Sequence, residues 1–311
     1  MARGRTVRRV LAIRIHRYGG PANIRTEDIP RPTPGPGEVL IEVAATSFNP
    51  SDIGWRRGLL RALMELDLPW TLGGEVSGTV VAAGEGVTAP APGDRVVGRI
   101  DRGGAAAEFV TARARDLVAA PTTIPLPHAA AIPIAGITAW HAVFAHARVE
   151  PGQRVLVNGA GGGVGGFAVQ LAKHAGAFVI ATASPRSAKA VREQGADQLV
   201  DYTATPLAAA LDEPVDALLH LVPAPGEEAA ELVRPGGVVV SVTGPVAVPA
   251  AVRHVSFVMH NDTAALTSLV ALVDAGVVRV DIADTRPLTD LRQVHYDAEA
   301  GELRGKTILV P

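Results

Sequence analysis

The chain contains no cysteine. That absence excludes disulfides, thiolate nucleophiles, iron–sulfur clusters and every zinc site built on cysteine. No apolar run approaches the roughly 20 residues needed to span a bilayer. Charge of either sign is not in excess. Lys and Arg number 29 against 31 Asp and Glu, and a net charge of −2 gives no field to gather nucleic acid or an acidic membrane surface. Aromatic residues make up only 4%, and the tyrosines are Tyr18, Tyr202 and Tyr296 alone.

What is present is the composition of a folded globular protein: 311 residues, 48% hydrophobic and 19% charged, long enough for two domains. The start, Met1-Ala2-Arg3-Gly4-Arg5 with Arg8 and Arg9 following, lacks the apolar segment of a signal peptide. It predicts a basic disordered tail over residues 1–9 of a cytoplasmic protein.

Residues 10–124 read as a β-rich module. Val39–Ala45 and Gly78–Ala83 are short β-branched runs, and the turns Pro32–Glu38 and Ala91–Val96 are dense in Pro and Gly. Several short strands so punctuated suggest a small barrel. From about 125 the pattern changes. Ala129–Ala145 suits a helix, and strands and helices then alternate. The strands are Arg154–Asn158, Ala177–Thr182, Gln198–Val200, Asp216–Val222 and Gly237–Val242, with helices at Val164–Ala175 and Ser187–Gln194 between the earlier ones. Such alternation predicts right-handed βαβ units and a doubly wound parallel sheet over 125–257. A last helix, Thr263–Ala275, precedes a mixed tail ending in Lys306–Val310.

The most informative stretch is Asn158-Gly159-Ala160-Gly161-Gly162-Gly163-Val164-Gly165-Gly166, six glycines in eight residues from Gly159. It follows a strand and opens a helix. Residues without side chains let the backbone approach a pyrophosphate, whose charge then sits on the helix N-terminus. Ala160, Gly161, Gly162, Gly163 and Val164 are therefore candidate cofactor-binding residues. An NAD site commonly places an acid about 20 residues on, against the ribose 2′-hydroxyl. Here that place reads Ala181-Thr182-Ala183-Ser184-Pro185-Arg186-Ser187-Ala188-Lys189, without an acid. Ser184, Arg186 and Lys189 suit a 2′-phosphate, so the expected cofactor is NADPH. The alternative leaves Arg186 and Lys189 as solvated residues at a helix start, where positive charge is mildly unfavourable.

Motifs distributed along the chain carry a family resemblance. They are Tyr18-Gly19-Gly20-Pro21, Phe48-Asn49-Pro50-Ser51-Asp52, Leu72–Gly78, Pro92-Gly93-Asp94-Arg95-Val96, Gly136-Ile137-Thr138-Ala139-Trp140, the glycine loop, Gly195-Ala196-Asp197, Arg234-Pro235-Gly236-Gly237 and Arg304-Gly305-Lys306. In order and spacing the chain resembles a zinc-free member of the medium-chain dehydrogenase/reductase superfamily, near the quinone oxidoreductases and enoyl reductases. The resemblance implies an α/β fold: a GroES-like catalytic barrel (10–124, completed by 258–311) with an inserted Rossmann domain (125–257). It also implies an active site between the two domains and a homodimer formed through Rossmann strands. Zinc-dependent relatives carry a Gly-His-Glu motif, whereas this chain reads Gly73-Gly74-Glu75. His141 and His146, five apart, and His254 and His260, six apart, lack the i,i+4 spacing of a helical metal pair. No metal site is expected.

Without a metal, the substrate must already be a good hydride acceptor, such as a quinone or an enone, and the protein aligns it. By resemblance Asn49 and Asp52 lie at the cleft floor, where Asn49 would hydrogen-bond the acceptor carbonyl; the other reading makes them a capping turn. Thr138 matches a nicotinamide contact. The resemblance adds Val222, Thr243 and Phe257 to the cofactor-binding set. His260 is either a substrate contact or structural. No tyrosine is placed by motif as a proton donor. Two alternatives stay open: an enoyl reductase tailoring a polyketide-type metabolite, and a non-catalytic NADPH-binding protein of crystallin type.

Overall fold

The computed structural model describes residues 9–311; the basic tail falls, but for Arg9, outside them. The chain divides into two compact units. One is Met1–Ile134 with Asn261–Asp274 and Ile282–Pro311, the other Ala135–His260 with Ala275–Asp281. The sequence predicts changeovers at 124/125 and 257/258; the structure has them at Ile134/Ala135 and His260/Asn261. The first moves because residues 126–134 pack on the β-rich unit, and the Ile134 amide donates to Glu75 there (2.7 Å).

The first unit begins with β1 (Arg9–Ile15), β2 (Ile24–Pro30), β3 (Glu38–Ser47), α1 (Pro50–Arg57), β4 (Trp70–Thr71), β5 (Glu75–Ala83), β6 (Arg95–Arg99), β7 (Phe109–Arg113), β8 (Leu117–Ala119) and α2 (Leu126–Ala129). Strands β2-β1-β4 make a small sheet. The larger one centres on the antiparallel pair β3–β5, whose register shifts at two bulges. Bulges curve a sheet toward closure, and Gly78 sits at this one because a Cβ would meet Glu42 O at 2.3 Å. Val39, Ile41, Val76, Val80 and Val96 turn inward to form its core.

The second unit takes up the chain within α3 (Pro133–Trp140), which runs on as a π-helix over His141–Ala147. There follow β9 (Arg154–Asn158), α4 (Gly163–His174), β10 (Phe178–Ala183), α5 (Ala188–Glu193), β11 (Gln198–Asp201), α6 (Leu207–Ala210), β12 (Val215–His220), α7 (Glu227–Ala230), β13 (Val233–Ser241) and β14 (Arg253–Ser256). The six strands pair in parallel in the order β11-β10-β9-β12-β13-β14. That order is the doubly wound Rossmann arrangement, with the switch point between β9 and β12. Strands buried on both faces read as continuous apolar runs, as Val155-Leu156-Val157 does.

The chain then returns to the first unit through α8 (Thr263–Asp274), β15 (Ile282–Pro287), α9 (Leu291–Glu299) and β16 (Lys306–Val310). Strand β16 pairs antiparallel with β3, so the C-terminus completes the first sheet. Helix α9 was not expected from the sequence; it buries Leu291 and Val294 beside Ile13, Ile15 and Phe48. Among the described residues no helix is long and apolar enough to cross a membrane.

Candidate functional site

The glycine loop lies between β9 and α4. Gly159 has φ +100°, a left-handed conformation that favours glycine. Gly162 is the N-cap of α4 and supplies no side-chain acceptor to the first-turn amides. Those N–H groups and the helix dipole are what an anion needs. A Cβ on Gly165 would stand 2.2 Å from Gly159 O, and one on Gly161 would stand 2.5 Å from Ser187 Oγ. The loop thus keeps a backbone-lined cradle that side chains would fill, and these residues fit a dinucleotide pyrophosphate. Val164 begins the helix, and Ala160 is fully buried beneath it.

Beyond the cradle, β10 ends at Ala183 with no acid at its tip. Ser187 Oγ bridges the Ser184 amide and carbonyl (3.2 and 3.3 Å), shaping the turn on which Ser184 and Arg186 are displayed. Arg186 is exposed. Lys189 is 90% exposed and points along α5 toward Glu193, at 3.9 Å. Further round, Thr243 donates to Val222 O (2.9 Å), joining two of the expected cofactor residues.

Thr138 is buried on α3, one turn ahead of the π-helix. That π-helix revises the reasoning about histidine spacing. Its wider turn brings residues five apart together, so the His141 and His146 rings lie 6.4 Å apart. The His260 ring stacks on His141 at 4.6 Å, and Phe257 packs on His146 at 4.3 Å. Burial, with His141 next in importance, holds the His146 imidazole below its ordinary pKa. His141 and His260 carry ring nitrogens within 4.8 Å of each other, close enough to share an ion. Sequence spacing alone therefore does not dispose of a metal here.

In the first unit a buried polar cluster surrounds Asn49. Asn49 is the N-cap of α1 in a reciprocal capping box with Asp52, and its own amide donates to Asp52 Oδ2 (2.8 Å). Its side-chain Nδ2 donates to Glu75 Oε1 (2.6 Å) and reaches Ser47 O (3.4 Å). Its Oδ1 accepts from Lys306 Nζ (2.9 Å). Both Nδ2 contacts of this amide are to protein oxygens, which favours the capping-turn reading.

Glu75 and Lys306, which lie inside the Leu72–Gly78 and Arg304–Lys306 motifs, anchor the cluster. Glu75 Oε1 accepts from Lys306 Nζ (2.9 Å), Asn49 and Ser47 Oγ, while Oε2 accepts from the Ile134 amide. The sequence signal is a charge opening an otherwise apolar strand, Glu75 before Val76 and Lys306 before Thr307-Ile308-Leu309-Val310. Asp52, the remaining carboxyl, is pushed up to about 7, chiefly by burial, against the hydrogen bond from the Asn49 amide. Nearby, buried Arg56 donates to Gly19 O, Glu299 and His295 Nδ1 (3.2 Å). Burial, then the Arg56 charge, lowers the His295 pKa to about 3. Tyr18 accepts a bond from the Leu66 amide (3.1 Å) and carries Arg61 over its ring.

A GroES-like β unit joined to a doubly wound dinucleotide-type sheet defines a dehydrogenase-class protein. Family models agree: residues 35–122 match the alcohol dehydrogenase GroES-like domain, and residues 194–309 match the zinc-binding dehydrogenase model. The chain is 33% identical to the chloroplast envelope quinone oxidoreductase homolog of Arabidopsis thaliana, over 96% of this chain and 98% of that one. The Escherichia coli quinone oxidoreductase complexed with NADPH superposes with a TM-score of 0.87 at 26% identity, covering 97% of this chain and 100% of that one. A stretch covering 52% of this chain is 42% identical to 4% of the pikromycin polyketide synthase component PikAII of Streptomyces venezuelae. The chain belongs to the medium-chain dehydrogenase/reductase superfamily, and with it to the oxidoreductases.

Proposed function

We propose that the protein is an NADPH-dependent, zinc-independent reductase that delivers hydride to a quinone or an activated C=C bond. The observation that carries this is the cradle from Gly159 to Val164, followed by a β10 tip bearing Ser184 and Arg186 where an NAD site would carry an acid. The quinone oxidoreductase relatives support the acceptor class, and the NADPH complex of the Escherichia coli enzyme supports the cofactor.

NADPH, held by residues 160–164, Ser184, Arg186 and Lys189, supplies the hydride. Thr138, buried at the end of α3, is the candidate hydroxyl for orienting the nicotinamide or the acceptor oxygen. Asn49 and Asp52 hold the turn that opens α1 instead of reacting. Zinc independence rests on the missing cysteines and on Gly74, which stands where zinc-dependent relatives carry histidine. The name of the second family model does not oppose it, because that match reports homology and the histidine position of the zinc motif carries no donor in this chain. An acceptor already electron-poor needs no Lewis acid.

The PikAII match favours a second reading, reduction of an enoyl thioester in polyketide-type metabolism. Following NADPH oxidation by absorbance with quinones, enones and enoyl thioesters decides between them. No turnover with any of the three classes would sink both. A cytoplasmic location and a homodimer, formed along the β14 edge whose outer backbone is unpaired within the sheet, complete the proposal.

A further inference from the structure

A chain of side-chain hydrogen bonds crosses the three central strands of the second unit directly beneath the glycine loop. The Gly159 amide donates to Thr182 Oγ1 (2.9 Å), and Thr182 Oγ1 lies 3.1 Å from Asn158 Oδ1. Asn158 Nδ2 lies 3.1 Å from His220 Nδ1, and His220 Nε2 lies 2.8 Å from Ala224 O. Thr182 is the penultimate residue of β10, Asn158 closes β9 and His220 closes β12, with His220 opposite Asn158 in the strand register. His220 is fully buried and Thr182 nearly so.

With a neutral imidazole at His220, the backbone groups at the two ends set the direction of the bonds between them. Ala224 O can only accept, so His220 Nε2 donates to it, and in the neutral ring Nδ1 is then the acceptor. Nδ1 therefore takes a proton from Asn158 Nδ2, which turns Oδ1 toward Thr182. The Thr182 hydroxyl donates to Oδ1 and keeps a lone pair for the Gly159 amide. Each residue accepts the one polarity its neighbour leaves open.

The two ends are also the two places where cofactor-facing segments leave the sheet. Gly159 starts the pyrophosphate cradle in a left-handed conformation, and a Cβ there would meet Val222 at 2.6 Å. Ala224 lies two residues past Val222 in the turn after β12. The main chain is stitched at the same point, where the Leu221 amide donates to Asn158 O (2.9 Å).

We propose that Thr182, Asn158 and His220 form a positioning relay that sets the Gly159 loop and the 221–224 turn in register for the nicotinamide cofactor. None of the three touches the cofactor in this proposal; they act through the Gly159 amide and the Ala224 carbonyl. The inference rests on the reading of residues 160–164 as the cofactor cradle. Breaking any link strands a buried donor or acceptor and lets the loop seek another partner. Loop amides displaced by a few tenths of an ångström no longer converge on one anion, so the cost falls on cofactor binding.

The experiment is NADPH fluorescence titration of the full chain, paired with thermal melts without cofactor. Thr182→Val keeps the shape and removes the hydroxyl; it should weaken NADPH binding roughly three- to tenfold, the worth of one net hydrogen bond. Thr182→Ser should restore binding to within about twofold. His220→Leu should weaken it similarly, and the double variant should be far from multiplicative, because either change breaks the same chain. Equal affinities for parent, Thr182→Val and Thr182→Ser would overturn the relay, as would fully multiplicative losses. If His220→Leu does not fold, the Val and Ser variants decide alone. A parent that binds no NADPH would instead overturn the cofactor reading, and the relay with it.

Discussion

Lys306 Nζ stands 2.9 Å from Glu75 Oε1 and 2.9 Å from Asn49 Oδ1, joining the last strand of the chain to β5 and to the cap of α1. Glu75 is fully buried and the Lys306 side chain only 4% exposed. A buried pair of this kind is expensive to break from one side, because the survivor keeps an uncompensated charge. Lys306→Met should therefore cost about 3–5 kcal/mol in denaturant unfolding. Adding Glu75→Gln should recover part of that loss. An additive loss would show that the two residues act independently.

Asp52 and His295 set opposite pH dependences on the first unit. The folded pKa of Asp52 is raised from 3.8 to about 7, so the folded state holds the extra proton and stability falls as pH rises through that window. The folded pKa of His295 is lowered from 6.5 to about 3, so its contribution is intact above 6.5 and is lost as pH falls through that interval. Asp52→Asn keeps an acceptor for the Asn49 amide and removes the ionisation. Its melting temperature should gain more, relative to the parent, near pH 8 than near pH 5. An equal change at both values would contradict the raised pKa.

The same variant tests chemistry. A carboxyl that holds its proton near neutral pH is a conceivable acid, but Asp52 sits in a capping turn. Asp52→Asn should lower turnover by less than about tenfold, whereas loss of a general acid costs on the order of a hundredfold or more. Tyr18→Phe, Tyr202→Phe and Tyr296→Phe should likewise retain turnover, and deuterium at the transferring position of NADPH should appear on the product carbon of an enone. Abolished turnover with cofactor still bound, in any of these four variants, would show that a specific acid exists.

Cofactor preference is expected to lie with NADPH over NADH. Arg186→Ala should erode the preference by roughly 1–3 kcal/mol, the scale of a charge-assisted hydrogen bond. Lys189→Ala should matter less, since its ammonium is directed toward Glu193. Equal affinity of the parent for the two cofactors would refute the assignment.

Purified protein should contain no stoichiometric zinc, and a chelator should leave turnover intact. The His141–His260 stack makes the measurement a real test, because it offers imidazole nitrogens that could capture an ion. Activity lost to a chelator and restored by zinc would overturn zinc independence.

By itself the sequence determined the fold class and the glycine loop between a strand and a helix. Both are written in local signals: short β-branched runs, turns dense in glycine and proline, and a glycine cluster between a strand and a helix. Strand β9 falls on the residues that the pattern predicts, because a short β-branched run with clear breakers leaves little freedom. Helix α9 was missed because its one apolar face reads as polar sequence until Leu291 and Val294 find β1 residues to cover.

What only the tertiary structure decided is which polar groups meet. Glu75 and Lys306 are 231 residues apart, and nothing local marks them as partners for Asn49. The π-helix that draws His146 toward His141 cannot be read from a spacing rule written for 3.6 residues per turn. His220 and Thr182 acquire their places only when β10, β9 and β12 align. A side chain's periodicity is fixed by its neighbours in sequence, but its hydrogen-bond partners are fixed by strand order and register, which emerge only when the whole sheet has closed over its core.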